Sequence, residues 1–382
     1  MKELHLISFN YPYPPSYGGI IDVYYKIKAL SDIGIKIHLH CFVDSIPETV
    51  DHEIKSITAN IFFYKKKKNP FYYFSAVPFA AAIRTSDVLF ENLMSIEAPI
   101  LFEGLQTTEI IRRLKNKDYK LYLRFHNNEA EYYKGLSSSE KNIFKKIIYR
   151  IESVKFAGYQ KKLLKEFESV FCLSEKELND VNSYSKNARL IHIFHGNESV
   201  KHLNGKGDYF LFHGDLSISD NKKALEETIS MFKTLPSHRL VVASDRAGDD
   251  LKKKINNIRN ISLVPIETDK NLRQLFENAH ANILLSYQNS GTKVKLFNAL
   301  YNSRFVIINE NITDDSALTG LCRLGFTSDE IRQRIIETAA EDYNENEIRS
   351  KVLEENYSDD AKAEEMSKVI FKSWPLLLFS GY

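Results

Sequence analysis

The segment ANILLSYQNSGTKVKLFNALYNSRFVIIN, residues 281–309, decides the fold. It opens on an apolar run, Ala281–Tyr287, and closes on another, Phe305–Asn309. Between them Val294, Phe297, Leu300 and Tyr301 recur at three- and four-residue steps. Two short apolar runs around one helical period read as strand, helix, strand, a unit that requires a parallel sheet covered on both faces. The helix is expected to open on Ser290, Gly291 and Thr292, with Lys293 and Lys295 in its first turn. Cations at the positive end of a helix dipole cost roughly 0.3 kcal/mol or more unless an anion arrives, so the spacing points to a phosphate site. An ordinary capped helix with solvated lysines is the alternative.

The same alternation runs through the rest of the chain. Strand-like runs fall at 4–9, 35–42, 60–64, 99–104, 121–127 and 169–174, and a second series at 208–214, 239–244 and 261–266 precedes the opening segment. Helical periods separate most of them, as in IIDVYYKIKALSDIG (20–34). The polar stretch GNESVKHLNGKGD (196–208) has three glycines and no period, which reads as a linker. The expected class is therefore α/β, with two Rossmann-like doubly wound domains facing a cleft and a ligand at the carboxyl ends of the strands. The expected bounds are 1–200, 201–355 and a helical segment, 356–382, packing back on the first domain.

Composition excludes several functions. The 382 residues are 43% hydrophobic and 27% charged, and the net charge is +2, which argues against a protein devoted to nucleic acid. Cys41, Cys172 and Cys322 lie far apart with no CxxC spacing, so neither a zinc knuckle nor a disulfide framework is indicated, and a reducing cytoplasm is expected. No run of eighteen apolar residues occurs, and the first apolar run is too short for a signal sequence. Asp-x-Asp and G-x-S-x-G are absent. HIFH (192–195), read as a strand, would send its histidines to opposite faces, so it is not taken as a metal site.

Five stretches together resemble GT-B glycosyltransferases, especially family 4 and a bacterial branch of it: YPYPPSYGG (11–19), LFEGLQTTEII (101–111), RFHNNEAEYYKGL (124–136), GKGDYFLFHGDLSISDNKKAL (205–225) and SGTKVKLFNALYNSRFVIIN (290–309). The resemblance implies transfer of a hexosyl group from a nucleoside diphosphate sugar to a glycan or lipid-linked glycan acceptor, with retention and without a resident metal or cofactor. It implies a place in envelope polysaccharide or glycoprotein glycan biosynthesis. It assigns His126, Glu103 and Glu129 to catalysis and Tyr17 and Asn127 to the acceptor. To the donor it assigns Gly18, Gly19, Gly214, Lys222, Ser244, Arg246, Ser290, Gly291, Thr292, Lys293, Lys295 and Asn298. Asn221 and Lys223 stand close to that set.

Three positions depart from the resembled pattern. Two glutamates usual around the last helix fall at Ser290 and Asn298, and a basic residue usual beside Gly214 is Asp215. Glu103 reads equally well as holding the acceptor or orienting His126, or as a buried carboxylate paired with an arginine such as Arg124. A sugar-nucleotide epimerase and a non-catalytic sugar-nucleotide binder are the rival functions.

YKKKKNPFYYF (64–74) and the period Ile143, Ile147, Ile151, Val154, with Lys145, Lys146, Arg150, Lys161 and Lys162 around it, admit two readings. One is contact with anionic membrane, led by Lys65–Lys68, which would place the protein in the cytoplasm, peripheral on the inner face of the membrane. The other is a solvated lysine run beside an ordinary core helix.

Overall fold

A computed structural model describes residues 2–114, 119–140, 142–244, 246–287 and 293–372. They form two compact units: one runs to Gly196 and resumes at Asp359, and the other is Asn197–Ser358. The first unit thus holds the helix Asp359–Phe371, whose Ala363, Met366 and Ile370 enter its core and whose Ile370 carbonyl accepts from Tyr122 Oη at 3.0 Å.

The first unit is built on seven parallel strands, β1 (Glu3–Ser8), β2 (Lys36–Val43), β3 (Asn60–Lys65), β4 (Ile100–Glu103), β5 (Leu121–Phe125), β6 (Ser169–Cys172) and β7 (Ala188–Leu190), in the order β3-β2-β1-β4-β5-β6-β7. Alternate residues feed two cores: Leu4, Leu6 and Leu101 pack on one face, Ile7, Ile100 and Phe102 on the other. Burial on both faces is why the central strands β1, β4, β5 and β6 read as largely apolar runs. The second unit has β8 (Tyr209–His213), β9 (Leu240–Ala243), β10 (Ile261–Val264), β11 (Ala279–Leu284), β12 (Phe305–Ile308) and β13 (Arg323–Leu324), all parallel, in the order β10-β9-β8-β11-β12-β13. Each sheet reverses direction of growth once, between β1 and β4 and between β8 and β11, and ligand sites in doubly wound sheets form at such points.

Three local expectations are corrected. HIFH is not a strand: β7 ends at Leu190, the Ile191 amide makes a last bond to the Cys172 carbonyl of β6 at 2.9 Å, and residues 192–196 belong to no strand. Buried side chains take the place of ladder partners. Arg124 donates to the carbonyls of Ile191 and His192 at 2.5 and 2.9 Å, Lys362 donates to that of Ile193, and the Phe194 amide donates to Asp22 at 2.9 Å. Edge strands β7 and β13, two or three residues long and partly exposed, carry no apolar run that would announce them. The helix Ile143–Leu163 is no core helix on its Ile143, Ile147, Ile151, Val154 side, because all four are exposed.

β1 and β2 also bury His5, His38 and His40, with His5 opposite His38 in register. His5 Nε2 lies 3.0 Å from the Ile96 carbonyl, which only accepts, so Nε2 carries the proton and Nδ1 accepts from His40 Nε2 at 2.9 Å. His40 Nδ1 in turn accepts from Tyr64 Oη at 2.8 Å. The chain of bonds holds only with both rings neutral. Burial pushes His5 down to about 4 and His40 well below its usual range. A depressed histidine binds its proton more readily in the unfolded chain, so stability is lost as pH falls from 6.5 through the folded value. The unfolding free energy difference between pH 7.5 and 4.5, from urea titration, should shrink by roughly 2–3 kcal/mol in His5→Gln relative to wild type. An unchanged difference would contradict the assigned tautomers.

Candidate active site

In the first unit, charge collects at the reversal between β1 and β4. Gly104, with φ 75°, turns the chain sharply after β4, a conformation that favours glycine and leaves the Glu103 side chain inside. Glu103 Oε2 accepts from Lys26 Nζ at 2.9 Å and from His126 Nε2 at 2.8 Å. Lys26 also donates to Asp22, one turn earlier on the helix Gly18–Asp32, at 2.8 Å. Arg124, on β5, grips Asp22 with two donors at 3.0 and 2.8 Å. Asp22, Lys26, Glu103 and Arg124 have no solvent exposure and His126 has 6%. Burial alone would raise the Asp22 carboxyl, but Arg124 and Lys26 outweigh it and hold the group well below the usual carboxylate range.

His126, at the end of β5, is therefore held by Glu103, as the reading of that carboxylate as orienting His126 expected. Its Nδ1 is buried without a hydrogen bond and lies 4.0 Å from Asp22. The salt-bridge partner of Glu103 is Lys26, not Arg124. Donor atoms of Asp22, Glu103 and His126 fall within 4.8 Å of one another, close enough for a metal ion by distance. The donor set does not fit one, since the Lys26 ammonium already bridges the two carboxylates and a metal would have to displace it.

Asn128 caps the helix Glu129–Ser139, its Oδ1 accepting from the Glu131 amide, while Asn127 is half-buried with no hydrogen-bond partner among the described residues. Glu129 is buried without a hydrogen bond among those residues, and burial, only partly offset by Arg84, pushes its carboxyl up to about 7. Burial thus brings the titration of this carboxyl towards neutral pH. Tyr17 is half-exposed at the N-cap of the Gly18–Asp32 helix and makes no side-chain cap, so it leaves the first-turn amides of Gly18 and Gly19 uncovered. A Cβ on Gly19 would come within 3.1 Å of the Phe9 ring, so close packing also asks for glycine there.

In the second unit the polar groups gather where β8 and β11 part. The helix Val294–Asn302 begins later than expected, with Lys293 at its N-cap; Ser290, Gly291 and Thr292 lie outside the described residues. Lys295 Nζ donates to Asn221 Oδ1 at 2.8 Å, and Lys293 Nζ to Ser286 Oγ at 2.9 Å. Asp220 accepts from Ser286 Oγ and from the Tyr287 amide, both at 2.9 Å. Gly214 leaves room for Asn221, whose amide carbon would stand 3.3 Å from any Cβ placed there. Burial lowers both lysines, Lys295 to about 8 with help from Lys293.

Other expected donor residues are arranged differently. Arg246 reaches Asp215 at 3.3 Å, so a cation does stand beside Gly214, delivered from the loop after β9 rather than from the next position in sequence. Ser244 is buried, and its Oγ accepts from the Arg246 amide. Lys222 is exposed, whereas Lys223 sits over the Tyr287 ring at 3.7 Å. Asn298 Oδ1 accepts from Asn197 at 3.0 Å. Unforeseen members are Asp22, Lys26, Asp220 and Ser286, and Arg124 was foreseen only as a partner of Glu103, where it instead grips Asp22. Asp22 and Lys26 had a signal, an i, i+4 ion pair on the same apolar stripe as Val23, Ile27 and Leu30.

With this geometry in place, the comparisons define the class. No family model matches the chain. An uncharacterized 44.6 kDa protein in the cps region of Klebsiella pneumoniae is 22% identical over 327 residues, 80% of this chain and 82% of the relative. Sucrose-phosphate synthase from Thermosynechococcus elongatus superposes with a TM-score of 0.68 at 13% identity, covering 97% of this chain and 99% of that one. An E. coli trehalose-6-phosphate structure bound with UDP-2-fluoro glucose gives 0.63 at 10% identity, covering 96% and 99%. WaaG, a glycosyltransferase involved in lipopolysaccharide biosynthesis, gives 0.59 at 11% identity, again covering 96% and 99%. The fold is GT-B, with two Rossmann-like units.

The Glu129 carboxyl provides a test of the first cluster. Its folded value lies above its unfolded one, so its favourable contribution is complete below about pH 4.5 and disappears as pH rises through 7. Glu129→Gln should stabilise the protein by on the order of 3 kcal/mol at pH 8 and hardly at all at pH 4.5, read by chemical denaturation. Equal effects at both pH values would refute the shifted carboxyl.

Proposed function

We propose that the protein is a glycosyltransferase of the family 4 type that moves a hexosyl group from a nucleoside diphosphate sugar to a glycan or lipid-linked glycan acceptor, with retention and without a resident metal. Envelope polysaccharide or glycoprotein glycan assembly on the cytoplasmic side of the membrane is the setting this reading favours. The observation that carries it is the gathering of Lys293, Lys295, Asn221 and Gly214 where β8 and β11 part, the point at which a doubly wound sheet binds a nucleotide. Similarity to WaaG supports the same class.

In this reading the lysines hold the diphosphate. As the bond between the sugar and the diphosphate breaks, negative charge grows on the departing phosphate, and a cation fixed by Asn221 meets that charge without having to reorganise. Glu129 is assigned proton exchange with the acceptor hydroxyl, because its carboxyl changes state near neutral pH. His126 and Glu103 act one step away: their bond fixes the end of β5 and the residues Asn127 to Glu129 that follow it. A second reading, a binder that turns nothing over, is favoured by Asn298, whose amide is held by Asn197 where a ribose-gripping carboxylate is usual. Release of free nucleotide from a panel of nucleotide sugars plus acceptor separates the two.

Lys295 gives the reading a pH signature. An ammonium titrating near 8 attracts a diphosphate below that value and loses its charge above it. Calorimetric affinity for UDP, GDP or ADP, whichever binds, should fall between pH 7 and pH 9 in the wild type. In Lys295→Met it should be about tenfold weaker at pH 7 and flat across that range. Affinity that ignores both the substitution and pH would remove the diphosphate from this site.

A further inference from the structure

The helix Ile143–Leu163 presents two apolar faces. Phe156 and Leu163 are buried on one, together with Glu152 and Gln160. At about 100° per residue these four fall within an arc of about 80°. Ile143, Phe144, Ile147, Ile148, Ile151 and Val154 fall in an arc of about 140° on the other side. These are the exposed ones, with Ile143 at 60%, Phe144 at 76%, Ile151 at 48% and Val154 at 70%. An outward face of this size is more than the scattered apolar residues usual on a surface.

Aromatic residues adjoin it. The turn Pro70–Phe74 is pinned to the helix, with Lys155 Nζ donating to the Tyr73 carbonyl at 2.8 Å and Glu152 accepting from the Phe79 amide at 2.6 Å. Tyr73 stacks on Phe79 with centroids 4.0 Å apart, which leaves Phe71 and Phe74 outside at 78% and 88% exposure.

The charges bordering this face are of one sign. Lys146 and Arg150 flank the apolar arc on one edge, Lys155 lies about 20° inside the other, and Lys161 and Lys162 continue the same side of the helix beyond Val154. The helix holds six basic residues and a single acid, Glu152, which is buried and bound to Lys155. The run Lys65–Lys68 contributes less than expected, because Lys66 and Lys68 both pair with Asp44, at 3.6 and 2.9 Å.

We propose that this face lies on the surface of a bilayer rich in anionic lipid, with Phe71, Phe74, Phe144, Ile147, Ile151 and Val154 entering the interface and Lys146, Arg150 and Lys162 on the headgroups. An apolar strip between cationic edges complements such a surface. It does not complement itself: a two-fold contact through the same face would set its cationic edges against each other. The helix lies on the bilayer and does not cross it, since no described helix is long and apolar enough to span.

Flotation of the full chain with phosphatidylcholine vesicles, with and without phosphatidylglycerol, tests the proposal and needs no turnover, so it stands apart from the transferase reading. The wild type should float only with the anionic vesicles, and less as salt rises. Ile147→Glu/Ile151→Glu and Phe71→Ser/Phe74→Ser should each reduce partitioning about tenfold with unchanged thermal unfolding, because the residues replaced are exposed. Lys66→Ser/Lys68→Ser should float like the wild type. Failure of the wild type to float, or equal flotation by the two apolar variants, overturns the proposal. So does a wild-type dimer in sedimentation velocity that Ile147→Glu/Ile151→Glu converts to monomer.

Discussion

The ion pair between Asp22 and Arg124 is the constraint on which the first unit depends. Two buried charges with no exposure are costly to desolvate, and their mutual attraction offsets that cost only when every remaining donor and acceptor is used. Here nearly all are. Asp22 takes Lys26, Arg124 and the Phe194 amide, and Arg124 spends its other donors on two carbonyls of the segment after β7. One ion pair thereby joins the Gly18–Asp32 helix, β5 and the stretch of chain that leaves the sheet after β7. The Phe194 ring lies beneath three cations, Lys26, Arg124 and Lys362, at 5.1 to 5.8 Å, which adds attraction where water is absent. Removing one member of such a set leaves an uncompensated charge and costs roughly 3–5 kcal/mol, well above a surface pair.

The second unit solves a different problem. At the β8–β11 parting Lys295 donates to the amide oxygen of Asn221 and Lys293 to the hydroxyl of Ser286, which in turn donates to Asp220. A cation held by a neutral amide, as Lys295 is by Asn221, keeps its charge available to an anion, and burial makes that interaction stronger than it would be in water. The contrast with the first unit is chemical. There, acid and base saturate one another; here, the charge is kept in reserve.

Strand and helix order could be read from apolar runs and periods, because two-sided burial extends over all of β8 and β11 and over all but the first residue of β1 and β2. Edge strands β7 and β13 could not, since half-exposed residues need no apolar pattern. HIFH misled for a related reason: its alternation is that of a strand, but its backbone is satisfied by Arg124, Asp22 and Lys362, and partners distant in sequence leave no local trace. At the candidate site, Lys293 and Lys295 could be named from spacing and Gly214 from the family resemblance, whereas Asp220 and Ser286 become visible only when two loops meet. Period alone showed that Ile143, Ile147, Ile151 and Val154 share a face. It could not show that nothing in the described chain covers it.

The helix Asp359–Phe371 belongs to the first unit, although 162 residues of the second unit, Asn197–Ser358, come between. Asp359 accepts from the amides of His195 and Gly196, and Lys362 from the same helix bonds Ile193. During synthesis, then, the second unit is complete as a contiguous length while the first still waits for its last helix. The amino-terminal half emerges earliest from the ribosome yet finishes last, and until residue 371 is free the face of its sheet that Met366 and Ile370 close stays open to chaperones.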